Sequence, residues 1–187
     1  MKTKVSTYRI LALLVAIAVI SMTLIVHPAA AEATRVKFTN YNIVCSIVSQ
    51  TIGVNNGGIL QIRDRVANSV VTSTSDTHDG PGHIYANANL FDPATGIGTY
   101  HGELDIYPTA YPDGYWFGHW SMQITANGYQ GVARLKGYGS LAGLSTFGTL
   151  TPLPPTILAD FAYLCGGTQP IAGSYVEGYY LDPVGGD

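Results

Sequence analysis

Along most of this chain apolar and polar residues alternate in short runs, and Gly, Pro, Asn or Asp interrupts each run before an amphipathic helix can form. Residues 115–125 (YWFGHWSMQIT) show the pattern most plainly. Trp116, Gly118, Trp120, Met122 and Ile124 fall on one face of a strand, and Tyr115, Phe117, His119, Ser121 and Gln123 on the other. The same reading predicts strands over 41–50, 57–66, 82–91, 98–107, 115–125, 130–139, 141–150, 157–165 and 171–181. The breaks carry turn chemistry: Asn55-Asn56-Gly57-Gly58, Asp92-Pro93-Ala94-Thr95-Gly96, Tyr111-Pro112-Asp113-Gly114 and Asn127-Gly128. Thr151-Pro152-Leu153-Pro154-Pro155 cannot be a central strand.

Eight or nine antiparallel strands at such close spacing make a sandwich or a closed barrel. Glycines lie inside the predicted strands, at Gly102, Gly118, Gly137, Gly148, Gly173 and Gly178 among others. Glycine weakens a strand unless curvature or a close backbone approach requires it. The expected fold is therefore all-β, a single antiparallel β-barrel of about eight strands closed by one disulfide.

The N-terminus departs from this pattern. Lys2, Lys4 and Arg9 precede an uncharged apolar run from Ile10 to Val26, followed by the small residues Ala29-Ala30-Ala31. That is the layout of a secretory signal peptide over residues 1–31, leaving a secreted domain over 32–187. The alternative is an uncleaved anchor that holds the domain outside the membrane, since the apolar run is almost long enough to span a bilayer. Removal of residues 1–31 leaves six basic residues against 12 acidic ones, a net charge near −6. With no basic patch, nucleic acid is not an expected partner.

Two cysteines, Cys45 and Cys165, sit near the two ends of the predicted domain. An even count in an exported chain invites a disulfide. The alternatives are two buried thiols or a metal pair, but zinc usually takes four ligands, often as close-spaced pairs, and there is no C-x-x-C.

Three groups of residues carry candidate chemistry. Trp116, Trp120 and Met122 either pack a barrel core or line a pocket for an apolar ligand. His101, Glu103 and Asp105 share one face of strand 98–107, and a hairpin would bring His119 beside them. Two histidines and two carboxylates suit a metal or an acid–base pair, although alternation alone also yields a solvated outer face, which is the expectation here. In the loop 72–82 and just after it, Asp76, His78, Asp79 and His83 are ligand types, but their spacing matches no EF-hand and no H-E-x-x-H motif. That loop is expected to be a polar turn with solvated side chains. Arg63 and Arg65 alternate with Gln61 on strand 57–66; a lumen-facing arginine could hold a ligand carboxylate, but a surface position is the expectation, because Leu60, Ile62 and Val66 already supply an apolar face. Neither a G-x-S-x-G elbow nor a phosphate-binding glycine loop is present, and no metal or cofactor is expected.

The order of motifs adds a resemblance. Gly57-Gly58-Ile59-Leu60-Gln61-Ile62-Arg63 precedes Ala86-Asn87-Ala88-Asn89-Leu90. Then follow Trp116-Phe117-Gly118-His119-Trp120, Gly137-Tyr138-Gly139-Ser140-Leu141-Ala142-Gly143-Leu144, and Gly178-Tyr179-Tyr180-Leu181-Asp182-Pro183. This resembles an uncharacterised family of small secreted microbial barrel proteins, similar in turn to the barrel of allene oxide cyclase and of dirigent proteins. The resemblance covers about residues 40–183 and implies a fold; its glycine and aromatic spacings place no catalytic residue on this chain, and a fold does not give an activity.

The leading functional expectation is a secreted, non-catalytic barrel that binds a small apolar ligand. The alternatives are an isomerase or cyclase of the kind the resemblance implies, and a structural or adhesive surface module presenting tyrosines such as Tyr175, Tyr179 and Tyr180. The interior separates them. A filled interior disfavours ligand binding and catalysis alike, and an open apolar cavity with buried, convergent polar groups favours an enzyme.

Overall fold

In the computed structural model, residues 33–183 are described. The predicted signal peptide lies outside the described residues. Eight strands follow one another in a single antiparallel sheet: β1 (Thr34–Val54), β2 (Leu60–Ser73), β3 (Gly80–Asp92), β4 (Ile97–Ile106), β5 (Gly114–Thr125), β6 (Gly128–Gly139), β7 (Ser145–Pro152) and β8 (Ala172–Asp182). Each pairs with the next, and β8 returns to pair with β1 from Thr34↔Asp182 to Val44↔Ala172, so the sheet closes in a ring. Closure removes the free edges of the first and last strands where Thr34–Val44 pairs with Ala172–Asp182.

Turn residues set the hairpins at one end of the ring. The Asn55 side chain accepts hydrogen bonds from the Gly57 and Ile59 amides at 2.9 and 3.0 Å. Asp92 does the same for the Ala94 amide and also accepts from the Thr95 hydroxyl at 2.7 Å. Two strand glycines have a different purpose. A Cβ on Gly102 would collide with the Tyr85 carbonyl, and one on Gly118 with the Arg134 carbonyl. Both allow neighbouring backbones to approach closely where the sheet coils.

Two irregularities matter for the interior. The register of β2 against β3 shifts between Ile62 and Arg65, and Asp64 there has φ 51°. This bulge moves the inward phase from Ile62 to Arg65, Ala67, Ser69 and Val71, so Arg65 faces inward and not outward as the uninterrupted alternation predicts. The second irregularity is the segment 157–165. It is not a strand: a short helix, α1 (Pro155–Leu158), runs into a 3₁₀ helix over Ala159–Cys165 that ends at Gly166 with φ 65°. Pro155 opens the first turn, where its missing N–H costs nothing, and Gly166 supplies the left-handed stop. The disulfide Cys45–Cys165 ties this segment to β1 across a sequence separation of 120. Phe161 packs on Tyr41 at 4.8 Å between ring centroids.

The largest core cluster comprises Val71, Leu104, Ile106, Trp116, Leu135 and Leu141. It fills the end of the ring where β2 passes to β3. Among the described residues no helix is long and apolar enough to cross a membrane.

Candidate functional site

The ring encloses a cavity of about 390 Å³. Its wall is mostly apolar, with Ile84, Leu104, Met122, Ala133, Leu135 and Val176 among the lining residues. Trp120 and Met122 line it, as their inward face allows, and the Trp120 indole donates to the Glu103 carbonyl at 3.1 Å. Trp116 sits deeper, fully buried in the closing cluster, and is not among the lining residues.

The loop between β2 and β3 closes one end. It turns on the His78 amide, which bonds to the Ser75 carbonyl at 2.9 Å. The expected solvated turn does not hold for its middle: Thr77 is buried and His78 is only 1% exposed. The His78 imidazole lies between Phe38 and Trp116, with centroid separations of 4.3 and 4.6 Å and near-parallel planes. The Trp116 indole anchors the loop by donating to the Thr77 carbonyl at 2.5 Å. A flat heteroaromatic ring completes the stack and carries the loop backbone across the opening.

His78 brings polarity with it. Its Nδ1 is 2.9 Å from the Thr77 hydroxyl, which in turn meets the Ser75 hydroxyl at 2.7 Å. Its Nε2 has no partner, and burial pushes its pKa down to about 3, so the ring is neutral at neutral pH. Among the described residues three further buried side-chain atoms have no partner: Asn40 Oδ1, Asn42 Oδ1 and Ser69 Oγ. Asn40 and Asn42 line the cavity together with His78. An unpaired buried polar group costs about 1–3 kcal/mol, so such a set opposes stability.

The other end is marked by Arg65, which lines the cavity beside Asn87 and Tyr100. Its Nε donates to the Gln50 side chain at 2.9 Å, and burial lowers its pKa from the ordinary arginine value. The Tyr100 hydroxyl donates to the Gly96 carbonyl at 2.6 Å.

The polar set on the outer face of β4 and β5 is divided. His101, Glu103 and His119 line a groove on the outside of the ring, and Glu103 lies opposite His119 with 3.8 Å between Oε1 and Nδ1. Asp105 belongs to a different group. It is buried, accepts from the His83 amide at 2.6 Å and lies 2.9 Å from His83 Nδ1. His83 is therefore a strand residue bound to Asp105, and Asp76, His78, Asp79 and His83 do not form one cluster. No group of three or more His, Cys, Asp or Glu side chains among the described residues could hold a metal ion.

The tyrosines expected to be exposed on the last strand are only partly so, and Tyr180 packs against the core. The exposed stack lies elsewhere on the outer surface, where Tyr107, Tyr115 and Tyr138 follow one another at 5.8 and 4.9 Å between centroids.

Sequence reasoning missed Asn40, Asn42 and His78 as residues of the interior, and it held the lumen-facing position of Arg65 only as the alternative to a surface one. Only a period-2 alternation of Phe38, Asn40, Asn42 and Val44 signals the first two. Comparison with family models, with curated proteins and with solved structures found no match.

Proposed function

We propose that the ring is a β-barrel of an exported protein that binds a small apolar ligand in its interior. The observation that carries this reading is the cavity of about 390 Å³ with a predominantly apolar wall and a few buried polar atoms at one end. Such a site gains affinity from apolar burial and orientation from a few polar groups. An extracytoplasmic setting is supported by the disulfide, which persists in oxidising compartments, and by the signal-peptide layout of residues 1–31.

Buried polar groups in a cavity are also what an enzyme needs, so their chemistry decides between the readings. General acid–base catalysis works best with a group that titrates near the operating pH. Of the described residues lining the cavity, none is Asp or Glu, and His78 titrates at about 3. Asn40, Asn42 and neutral His78 are suited to holding a molecule by hydrogen bonds, which favours binding over proton transfer. The barrel of allene oxide cyclase and dirigent proteins remains the proposed fold relationship, and it lends no activity to this chain.

Native mass spectrometry of protein purified from its own secreting host tests the reading. A non-covalent small-molecule adduct, retained by the folded protein and released on denaturation, is the expected result. Protein at its bare polypeptide mass that also takes up no added apolar compound would count against it.

A further inference from the structure

Building on the reading that the interior takes a small apolar ligand, we infer that this ligand is an uncharged molecule seated by a hydroxyl group beside His78 and Asn40, on the wall that Asn42 continues. Its apolar body then points along the cavity toward Arg65.

The placement follows from the strands. Phe38 stacks on His78, and Asn40 and Asn42 continue the same inward face of β1, each step about 7 Å along. The polar atoms therefore form a line up one wall and not a scatter around it. Asn42 pairs with Val71 on β2, and Arg65 lies six residues from Val71 on that strand, about 20 Å away. The polar end and the charged end are thus separate.

The chemistry of the unpaired atoms selects the group. Asn40 Oδ1 and Asn42 Oδ1 are acceptors and need a donor. His78 Nε2 donates or accepts according to which nitrogen carries the proton. A hydroxyl both donates and accepts, so it donates its one hydrogen to an asparagine oxygen and accepts from His78 Nε2 when that nitrogen carries the proton. A carbonyl oxygen only accepts and leaves the asparagine oxygens unpaired. A carboxylate would be buried there without a cation, because His78 is neutral and, among the described residues, the single charged side chain lining the cavity is Arg65 at the other end.

Displacement of the uncharged fluorophore N-phenyl-1-naphthylamine by 1-octanol, octane and octanoate tests the inference. In the unsubstituted protein 1-octanol should be at least about fivefold more effective than octane. His78→Phe keeps an aromatic ring in the stack, and Asn40→Leu removes the acceptor; each should bring the two compounds close to equal. Equal displacement by 1-octanol and octane in the unsubstituted protein would overturn the hydroxyl seat. So would a preference for octanoate that is lost in Arg65→Gln and kept in His78→Phe, since the head group would then sit at the opposite end. Failure of the fluorophore to bind any version would instead overturn the binding reading itself.

Discussion

The imidazole of His78 stacks on the indole of Trp116 at 4.6 Å between centroids and 13° between planes, although the two residues are 38 positions apart and His78 belongs to a loop of polar residues. The pair closes one end of the ring. Its consequence is a buried, neutral histidine with one nitrogen unpaired at the end of an apolar cavity.

That histidine makes stability depend on pH in a defined window. The unfolded chain protonates His78 below about pH 6.5, whereas the folded protein does so only near 3. Between these values the unfolded state binds more protons, so the His78 contribution falls as pH drops from about 6.5 toward 3 and is flat above. The full difference is on the order of 4–5 kcal/mol. Urea unfolding at several pH values should show a shallower acid-side loss for His78→Phe than for the unsubstituted protein. Identical pH slopes in the two would contradict the burial of a neutral ring.

The two tryptophans of β5 should respond differently to truncation. Trp116 is fully buried in the closing cluster, so Trp116→Ala should cost about 3–5 kcal/mol, the range for large aromatic truncations in a core. Trp120 is half-buried against the cavity, and its loss should cost less than that. His119 is exposed and its contact with Glu103 is loose, so His119→Ala should change stability by under about 0.5 kcal/mol. Chemical denaturation of the three variants gives the ranking, and a cost at Trp120 equal to that at Trp116 would mean a packed interior.

Strand alternation made the faces of β5 legible, because Trp116, Gly118 and Trp120 repeat with period two and no irregularity interrupts them. The same logic failed at Arg65. The bulge at Asp64 shifts the phase by one residue, and a non-glycine residue in the left-handed region leaves no mark in the sequence. Residues 157–165 read as a strand because a short apolar run looks alike in a strand and a helix; the Pro154-Pro155 pair was the signal for a helical first turn. The loop of His78 is a turn, as its composition says. What composition cannot say is that one of its side chains enters the core. Asp105 shares its face with solvated neighbours, and only the cross-strand pairing with His83 explains its burial.

The disulfide predicts both a chemical and an energetic result. Alkylation of unfolded, unreduced protein should find no free thiol, because Cys45 and Cys165 are bonded. The bond closes a long loop, so Cys45→Ala paired with Cys165→Ala should lower stability by about 2–5 kcal/mol. Two modified cysteines in the first experiment would remove the basis for the second.

Whether the interior accepts a ligand is tested most directly by titrating N-phenyl-1-naphthylamine into the protein and into variants that fill the cavity. Ala133→Phe and Met122→Trp place bulk on the cavity wall, and Tyr129→Ala alters only an exposed residue. Saturable binding of one fluorophore per chain, weakened about tenfold or more by each filling variant and unchanged in Tyr129→Ala, is the predicted result. No saturable binding, or equal binding by the filled variants with their fold intact, would contradict a ligand-binding interior.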